Sequence, residues 1–402
     1  MPKKIIVAGS GFSGLWAVIS AARAIALAGK QNEVQVTMVS PAPRLAIRPR
    51  FYEATLAHVN PDVTALLEAV GVQHLAGLVD DIDAETKTVV VQAKDGARTS
   101  LSYDRLVLAM GSRLFTPNIP GLAEYGFNVD SLEHAQELDA HLNSLASRPD
   151  TPSRNTVVVA GGGFTGLETA AEMPSRLLAI LGSEAALRVL IVDPASEIGA
   201  GMGAEPLPVI REALAHCGVE PRAGVSVAAI DADSVTLSSG ERIEAATVVW
   251  TAGVRAHPLA AQIPGEHDEL GRVVGDLYLH APAADGVFVT GDMVKAKTDD
   301  HGHYSLMTCQ HALSLGRVAG HNAAAELVGL PTHPYSQPKY VTCLDLGPWG
   351  ALYTEGWDRQ VHFTRQDGKK IKQQINTVWI YPPLPDREAA FAVANPDFVI
   401  VP

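Results

Sequence analysis

The chain has 402 residues, 47% of them apolar, which is enough for two or three domains with sizeable cores. A formal net charge of −13 argues against a general nucleic-acid surface. The three cysteines, Cys217, Cys309 and Cys343, are too scattered for a disulfide framework or a thiolate zinc cluster, and they fit a cytosolic setting.

The N-terminal stretch KIIVAGSGFSGLWAV is expected to form a strand over residues 4–8, a tight turn, then a helix from Leu15 to Ala28, stopping near Gly29. Three glycines at fingerprint spacing make this a buried strand and helix rather than a signal peptide. EVQVTMVS, residues 33–40, is the next strand and completes a βαβ unit. TKTVVVQ and YDRLVLAMGS are further strands, and the Ser-, Pro- and Asn-rich segment 142–155 is expected to be a linker.

A second βαβ unit follows: a strand over 156–160, a glycine turn, a helix to about Ile180 and a strand over 188–192. A meander covers 225–253, GVFVTGD adds a short strand, and a helix is expected from about Ser305 to Leu327. His301 and His303 read as a solvated loop rather than a metal site. After Pro338, two or three antiparallel strands with a Gly-Pro turn are expected, then a helix with Ile371, Ile375 and Val378 on one face. No uncharged apolar run reaches the ~18 residues of a membrane span.

Gly9, Gly11 and Gly14, with Phe12 and Ser13 between them, fit G-x-G-x-x-G between a strand and a helix. The first glycine permits the turn, the second lets a pyrophosphate approach, and the third lets helix and strand pack closely. Free N–H groups at the helix start then face the phosphates. The acid expected at the end of the next strand is replaced by Ser40, a weaker ribose partner. Gly161, Gly163 and Gly166, with Phe164 and Thr165, form the second match. Its next strand ends in Asp193, where a carboxylate accepts from the ribose 2′-OH, so NADH is favoured over NADPH. Asp193 also reads as a turn cap. Glu168, placed on the first turn of the second helix, is either a dipole partner or a catalytic contact at the nicotinamide. Two dinucleotides in one chain imply electron transfer between a resident flavin, FAD, and a transient NADH.

With these stretches, and with IRPRFYEA, TVVWTAGVRAHPL and GVFVTGDM, the chain resembles the two-dinucleotide-domain flavoproteins, most nearly type II NADH dehydrogenases and AIF-like members. The resemblance covers residues 5–320. It implies an α/β fold of two Rossmann-like domains, the second inserted in the first, with a small α+β C-terminal domain. The expected FAD domain comprises residues 1–120 and 254–330, the NADH domain 121–253 and the C-terminal interface domain 331–402.

By the same resemblance, Gly291 and Asp292 meet the FAD ribityl or pyrophosphate, Arg48 lies near the flavin and Val79 faces the adenine. Ala109, Gly111 and Gly253 mark crossings between the domains. Thr308 and Cys309 lie where a helix start points at the flavin, and Gln310 faces the acceptor. Quinone-reducing relatives resemble A-Q-x-A-x-Q-Q here; Ser314 and Leu315 replace the two later glutamines, which weighs against ubiquinone-type acceptors.

No cysteine precedes Cys217, so paired-cysteine chemistry near the flavin is excluded. Lys369, Lys370 and Lys372 either touch anionic lipid or dock their helix on the protein core, and docking is favoured. The expected activity is an FAD-dependent NADH dehydrogenase of diaphorase type, passing electrons to a quinone or small aromatic acceptor. A reductase of a ferredoxin-like protein and a low-turnover flavin redox sensor stay open as alternatives. The setting is cytoplasmic, with membrane contact at most peripheral to the inner membrane face. A homodimer through the C-terminal domain is implied by resemblance.

Overall fold

Strand β1 (Lys3–Ala8) ends in four buried apolar residues, Ile5 to Ala8, and runs parallel to neighbours on both sides. Near-continuous apolar runs of this kind belong to parallel sheets covered on both faces. In this computed structural model, which describes residues 2–400, β1 is followed by α1 (Phe12–Leu27), β2 (Val34–Ser40) and β3 (Gln73–Ala76). An antiparallel trio follows, β4 (Leu78–Asp83), β5 (Thr88–Gln92) and β6 (Arg98–Ser102), and then β7 (Arg105–Leu108) and β8 (Ser112–Leu114).

The second unit contains β9 (Gly126–Phe127), α2 (Leu132–Ser144), β10 (Thr156–Ala160), α3 (Phe164–Leu181), β11 (Arg188–Asp193), α4 (Pro206–His216), β12 (Val219–Ala223) and β13 (Thr247–Trp250). The chain returns through β14 (Val254–Ala256) to β15 (Val287–Val289) and α5 (Cys309–Val328). It finishes with β16 (Val341–Asp345), β17 (Ala351–Glu355), β18 (Gln360–Phe363) and α6 (Arg365–Gln374) among its last elements.

Two five-stranded parallel sheets result, ordered β15-β7-β1-β2-β3 and β12-β11-β10-β13-β9. In each, the strand before the glycine turn lies between neighbours reached in opposite directions. That reversal opens a crevice at the carboxyl ends of the strands, where ligands of doubly wound sheets bind. The antiparallel pair β8–β14 is the ribbon by which the chain crosses between the sheets.

Helices α1 and α5 meet with almost no side chain between them. A Cβ at Gly316 would lie 2.4 Å from the Ser13 carbonyl oxygen, and one at Gly320 would lie 2.0 Å from that of Ala17. The C-terminal sheet, β16-β17-β18, packs Val341, Cys343, Ala351 and Tyr353 against Ile371, Ile375 and Trp379.

Several boundaries differ from the sequence expectation. Helix α1 begins at Phe12, because Gly11 is already its N-cap. The expected linker 142–155 is largely ordered: α2 runs to Ser144, a 3-10 turn spans Leu145–Ser147, and Thr151 caps a short helix over Pro152–Asn155. Helix α5 starts at Cys309, not Ser305, since the Thr308 side chain accepts from the His311 N–H and ends the extended approach. Val378 is 61% exposed. The chain passes from α6 into a π-turn over Ile375–Trp379, which rotates Val378 away from the face shared by Ile371 and Ile375.

Candidate active site

Both glycine turns have the same construction. Gly9 has φ +112°, and a Cβ there would meet the Ala109 carbonyl oxygen at 2.4 Å. A Cβ on Gly14 would meet the Gly9 carbonyl oxygen at 2.0 Å. Gly161 has φ +120° and presses on Thr251 and Ala252, while a Cβ on Gly166 would meet the Gly161 carbonyl oxygen at 1.8 Å. The middle glycines, Gly11 and Gly163, face open space, with nothing within 4 Å of their Cβ positions. Each turn is thus closed by its outer glycines and open at its centre, as backbone approach to a pyrophosphate requires.

Around the first turn, Gly291 rests on the Ser13 side chain, which brings the Gly-Asp end of β15 to the start of α1. The hydroxyl of Thr290, the residue before it, is buried without a partner. Asp292 accepts from the Ser112 hydroxyl at 2.6 Å, and burial raises its pKa against the opposing pull of Ser112 and Arg48. Arg48 also donates to the Asp130 carboxylate and, at 2.8 Å, to the Ser112 hydroxyl. It therefore ties the β15 end to the segment before α2. Gly111 accepts from the His257 N–H, and Gly253 from that of Phe115, so both sit on the crossing ribbon.

Ser40 and Val79 are placed less directly. The Ser40 hydroxyl is engaged with the Ala42 carbonyl and His74. Val79 lies in β4, paired with Val91 just before a bulge.

At the second turn, Asp193 Oδ2 accepts from the Gly162 N–H at 2.6 Å and Oδ1 from the Ala195 N–H at 2.8 Å. The carboxylate therefore stands beside the glycine loop and also caps the turn after β11. Phe164 is half-buried and Thr165 exposed at the start of α3.

Glu168 is the largest departure from the sequence expectation. Helix α3 begins at Phe164, so Glu168 lies past the first turn, and with 3% exposure it is no solvent-facing dipole partner. Its Oε1 accepts from Lys372 Nζ at 2.7 Å and from the Asp345 N–H at 3.0 Å. Burial pushes the Glu168 carboxyl up to about 7, against the pull of Lys372, while Glu168 raises the Lys372 ammonium above its ordinary value. Lys372 also donates to the Cys343 carbonyl at 3.0 Å, and its ammonium stands 5.7 Å from the Phe164 ring centroid.

Lys369 bonds Asp345 at 2.6 Å and Lys370 bonds Asp367. Two of the three lysines considered for lipid contact are thus drawn into the core side of α6. Spacing alone could not show which way each faced.

Thr308, Cys309 and Gln310 stand at the start of α5. Gln310 Oε1 accepts from the Val341 N–H at 3.4 Å, tying the helix start to β16. Burial pushes the Cys309 thiol up to about 11, against the pull of the Lys372 ammonium. His303 pairs with Asp299 and stacks on Trp357. Among the described residues no group of three or more His, Cys, Asp or Glu is placed to hold a metal, and no helix is long and apolar enough to cross a membrane.

Two parallel sheets, each with a glycine cradle at its switch point, define a two-nucleotide oxidoreductase. The chain belongs to the pyridine nucleotide-disulphide oxidoreductase family, which matches residues 3–316. FAD and NADH are the cofactors that membership implies. A NADH dehydrogenase-like protein of Mycobacterium tuberculosis is 47% identical over 384 residues, 95% of each chain. The demethylphylloquinone reductase NdbB of Synechocystis is 28% identical, covering 87% of this chain and 86% of its own. In fold, the chain is similar to NDH2 of Plasmodium falciparum, with TM-score 0.76, 14% identity and full coverage of both chains.

Proposed function

We propose that the chain oxidises NADH through FAD and delivers the electrons to a quinone or small aromatic acceptor. One observation carries this: two glycine cradles, each closed by its outer glycines and open at its centre, stand at the switch points of two parallel sheets, and the helix of the second is joined to the C-terminal helix by the buried Glu168–Lys372 pair.

The first cradle suits FAD. Gly9, Gly11 and Gly14 leave room for a pyrophosphate, the α1 start with Phe12 and Ser13 presents N–H groups, and Asp292 and the unpartnered Thr290 hydroxyl supply polar contacts. When bound, FAD supplies acceptance of a hydride and its onward release as electrons. The second cradle suits NADH: the Asp193 carboxylate, bonded to the Gly162 N–H beside the glycine loop, would accept from the ribose 2′-OH and repel a 2′-phosphate. Buried Glu168 holds a proton near neutral pH beside Lys372, where burial excludes water. Arg48 ties the Asp292 end of the first cradle to Asp130 before α2.

A quinone-type acceptor is supported by the demethylphylloquinone reductase and by the type II NADH:quinone oxidoreductase NdhA of M. tuberculosis, 29% identical over 321 residues. The net charge of −13 disfavours steering toward an acidic redox protein. A homodimer belongs to the same proposal: Val378 and Leu384 leave apolar surface on the C-terminal unit, and sedimentation would read the association.

The test is anaerobic. The protein as purified is mixed with NADH or NADPH, then with quinones, ferricyanide, a ferredoxin or oxygen. Flavin bleaching by NADH and its recovery by quinone are expected. If no flavin co-purifies and none binds, the proposed function fails.

A further inference from the structure

Strand β2 ends where a doubly wound sheet places the adenosine ribose of its dinucleotide, and this chain has no acid there. Ser40, the residue in that place, is 3% exposed. Its hydroxyl donates to the Ala42 carbonyl at 2.7 Å, and its own carbonyl accepts from the Gly77 N–H at 3.0 Å. The serine therefore has no hydrogen left to give and little surface from which to accept.

The side chain that reaches this spot from the next strand is His74 of β3. Its Nε2 lies 3.0 Å from the Ser40 hydroxyl oxygen and 3.2 Å from the Ser40 carbonyl oxygen. A carbonyl oxygen only accepts, and the serine hydrogen is spent on Ala42, so Nε2 carries the ring hydrogen and donates to both. Burial lowers the His74 pKa, against the pull of the Ser40 carbonyl, so the ring is neutral at pH 7. Nδ1 is then a lone-pair acceptor. Among the described residues it has no hydrogen-bond partner, and it is not sealed in the interior. The neighbouring Gln73 is bonded to Gln35 instead. A half-buried ring, fixed at one nitrogen and open at the other, thus stands beside the end of β2.

We propose that His74 holds the adenosine ribose of FAD, with Nδ1 accepting from a ribose hydroxyl where the dinucleotide fold ordinarily uses a carboxylate. Ser40 is a positioning residue: its two oxygens set the tautomer and the tilt of the ring. The inference rests on the assignment of FAD to the first cradle.

The test is binding, not turnover. Full-length protein stripped of flavin is titrated with FAD and with an analogue built on 2′,3′-dideoxyadenosine, and the change in flavin fluorescence gives a Kd for each. His74→Phe keeps a flat ring and removes both nitrogens. Its Kd for FAD should rise about fivefold, and its Kd for the analogue should stay within about twofold of the unmodified protein. Ser40→Ala should weaken FAD about twofold, and should add nothing in the His74→Phe background, because it acts through the ring.

Equal losses for FAD and the analogue, or unchanged FAD binding in His74→Phe, overturn the proposal. A Ser40→Ala loss that persists in full beside His74→Phe puts the ribose contact on the serine and overturns it as well. If Gly14→Ala binds FAD as tightly as the unmodified protein, the first cradle is not the flavin site; that assignment fails, and the role of His74 with it.

Discussion

The Glu168 carboxylate and the Lys372 ammonium meet at 2.7 Å across 204 residues of sequence, both fully inside the protein. Glu168 belongs to the helix of the second cradle and Lys372 to the C-terminal helix, so the pair fastens those two units. Removing one partner strands the other in the interior, where it must stay charged without its counter-ion or change its protonation. Lys372→Met should therefore destabilise by about 3–5 kcal/mol, while the double change Glu168→Gln with Lys372→Met should recover much of that. Chemical denaturation of the four proteins measures the cycle.

The same pair sets a pH dependence. Burial raises the folded pKa of Glu168 to about 7, above its ordinary value, so between roughly pH 4.5 and 7 the folded state binds more protons than the unfolded. This group's contribution to stability therefore declines as pH rises through that window. For Lys372, also raised, the contribution is present at neutral pH and is lost only in strongly alkaline solution. Glu168→Gln should flatten the neutral-pH limb in both denaturation midpoint and quinone turnover, and profiles that keep it would assign the titration elsewhere.

The two cradles should fail separately. Gly14→Ala forces a methyl against the Gly9 carbonyl and should yield protein without visible flavin absorbance. Gly166→Ala strains the second turn in the same way, and should keep its flavin while losing reduction by NADH. Absorbance before and after NADH distinguishes the two.

Asp193 holds its own loop, and in the proposed function it also accepts from the NADH ribose. Asp193→Ala should weaken both coenzymes, because the Gly162 and Ala195 N–H groups lose their acceptor. NADH should lose more, so the ratio of kcat/KM values for NADH over NADPH should shrink by about tenfold. Steady-state kinetics with both coenzymes is the measurement.

Arg48 is bonded to Asp130 and Ser112 and stands 3.9 Å from Asp292. Arg48→Ala frees the β15 end and raises the Asp292 pKa further. Flavin dissociation should become about tenfold faster below neutral pH than in the unmodified protein, followed by fluorescence of the released flavin.

How much of this was legible depended on sequence distance. Both glycine turns and Asp193 sit within single βαβ units, where spacing fixes geometry, and the paired sheets follow from them. Asp292 stood out for the same reason, as a Gly-Asp end to a short strand. The link from Arg48 to Asp130 joins loops 82 residues apart with no local periodicity to announce it. Lys372 was visible only as one of three lysines on an amphipathic stretch, a pattern usual for a solvated face. Its inward turn needed the docked β16. Val378 went astray because sequence periodicity presumes 3.6 residues per turn, and the π-turn breaks that count.

The bare contact of α5 on α1 has an evolutionary side. With Gly316 on Ser13 and Gly320 on Ala17, main chain rests on main chain, and there are no bulky neighbours to be traded for others of similar size. The starts of the two helices, at Phe12 and Cys309, are therefore spaced by a gauge that ordinary side-chain drift leaves alone. The half-buried positions Gln310 and Ser314, on the side proposed for the acceptor, can diversify on that gauge. A descendant of this chain could change what it reduces while keeping the place where it holds its flavin.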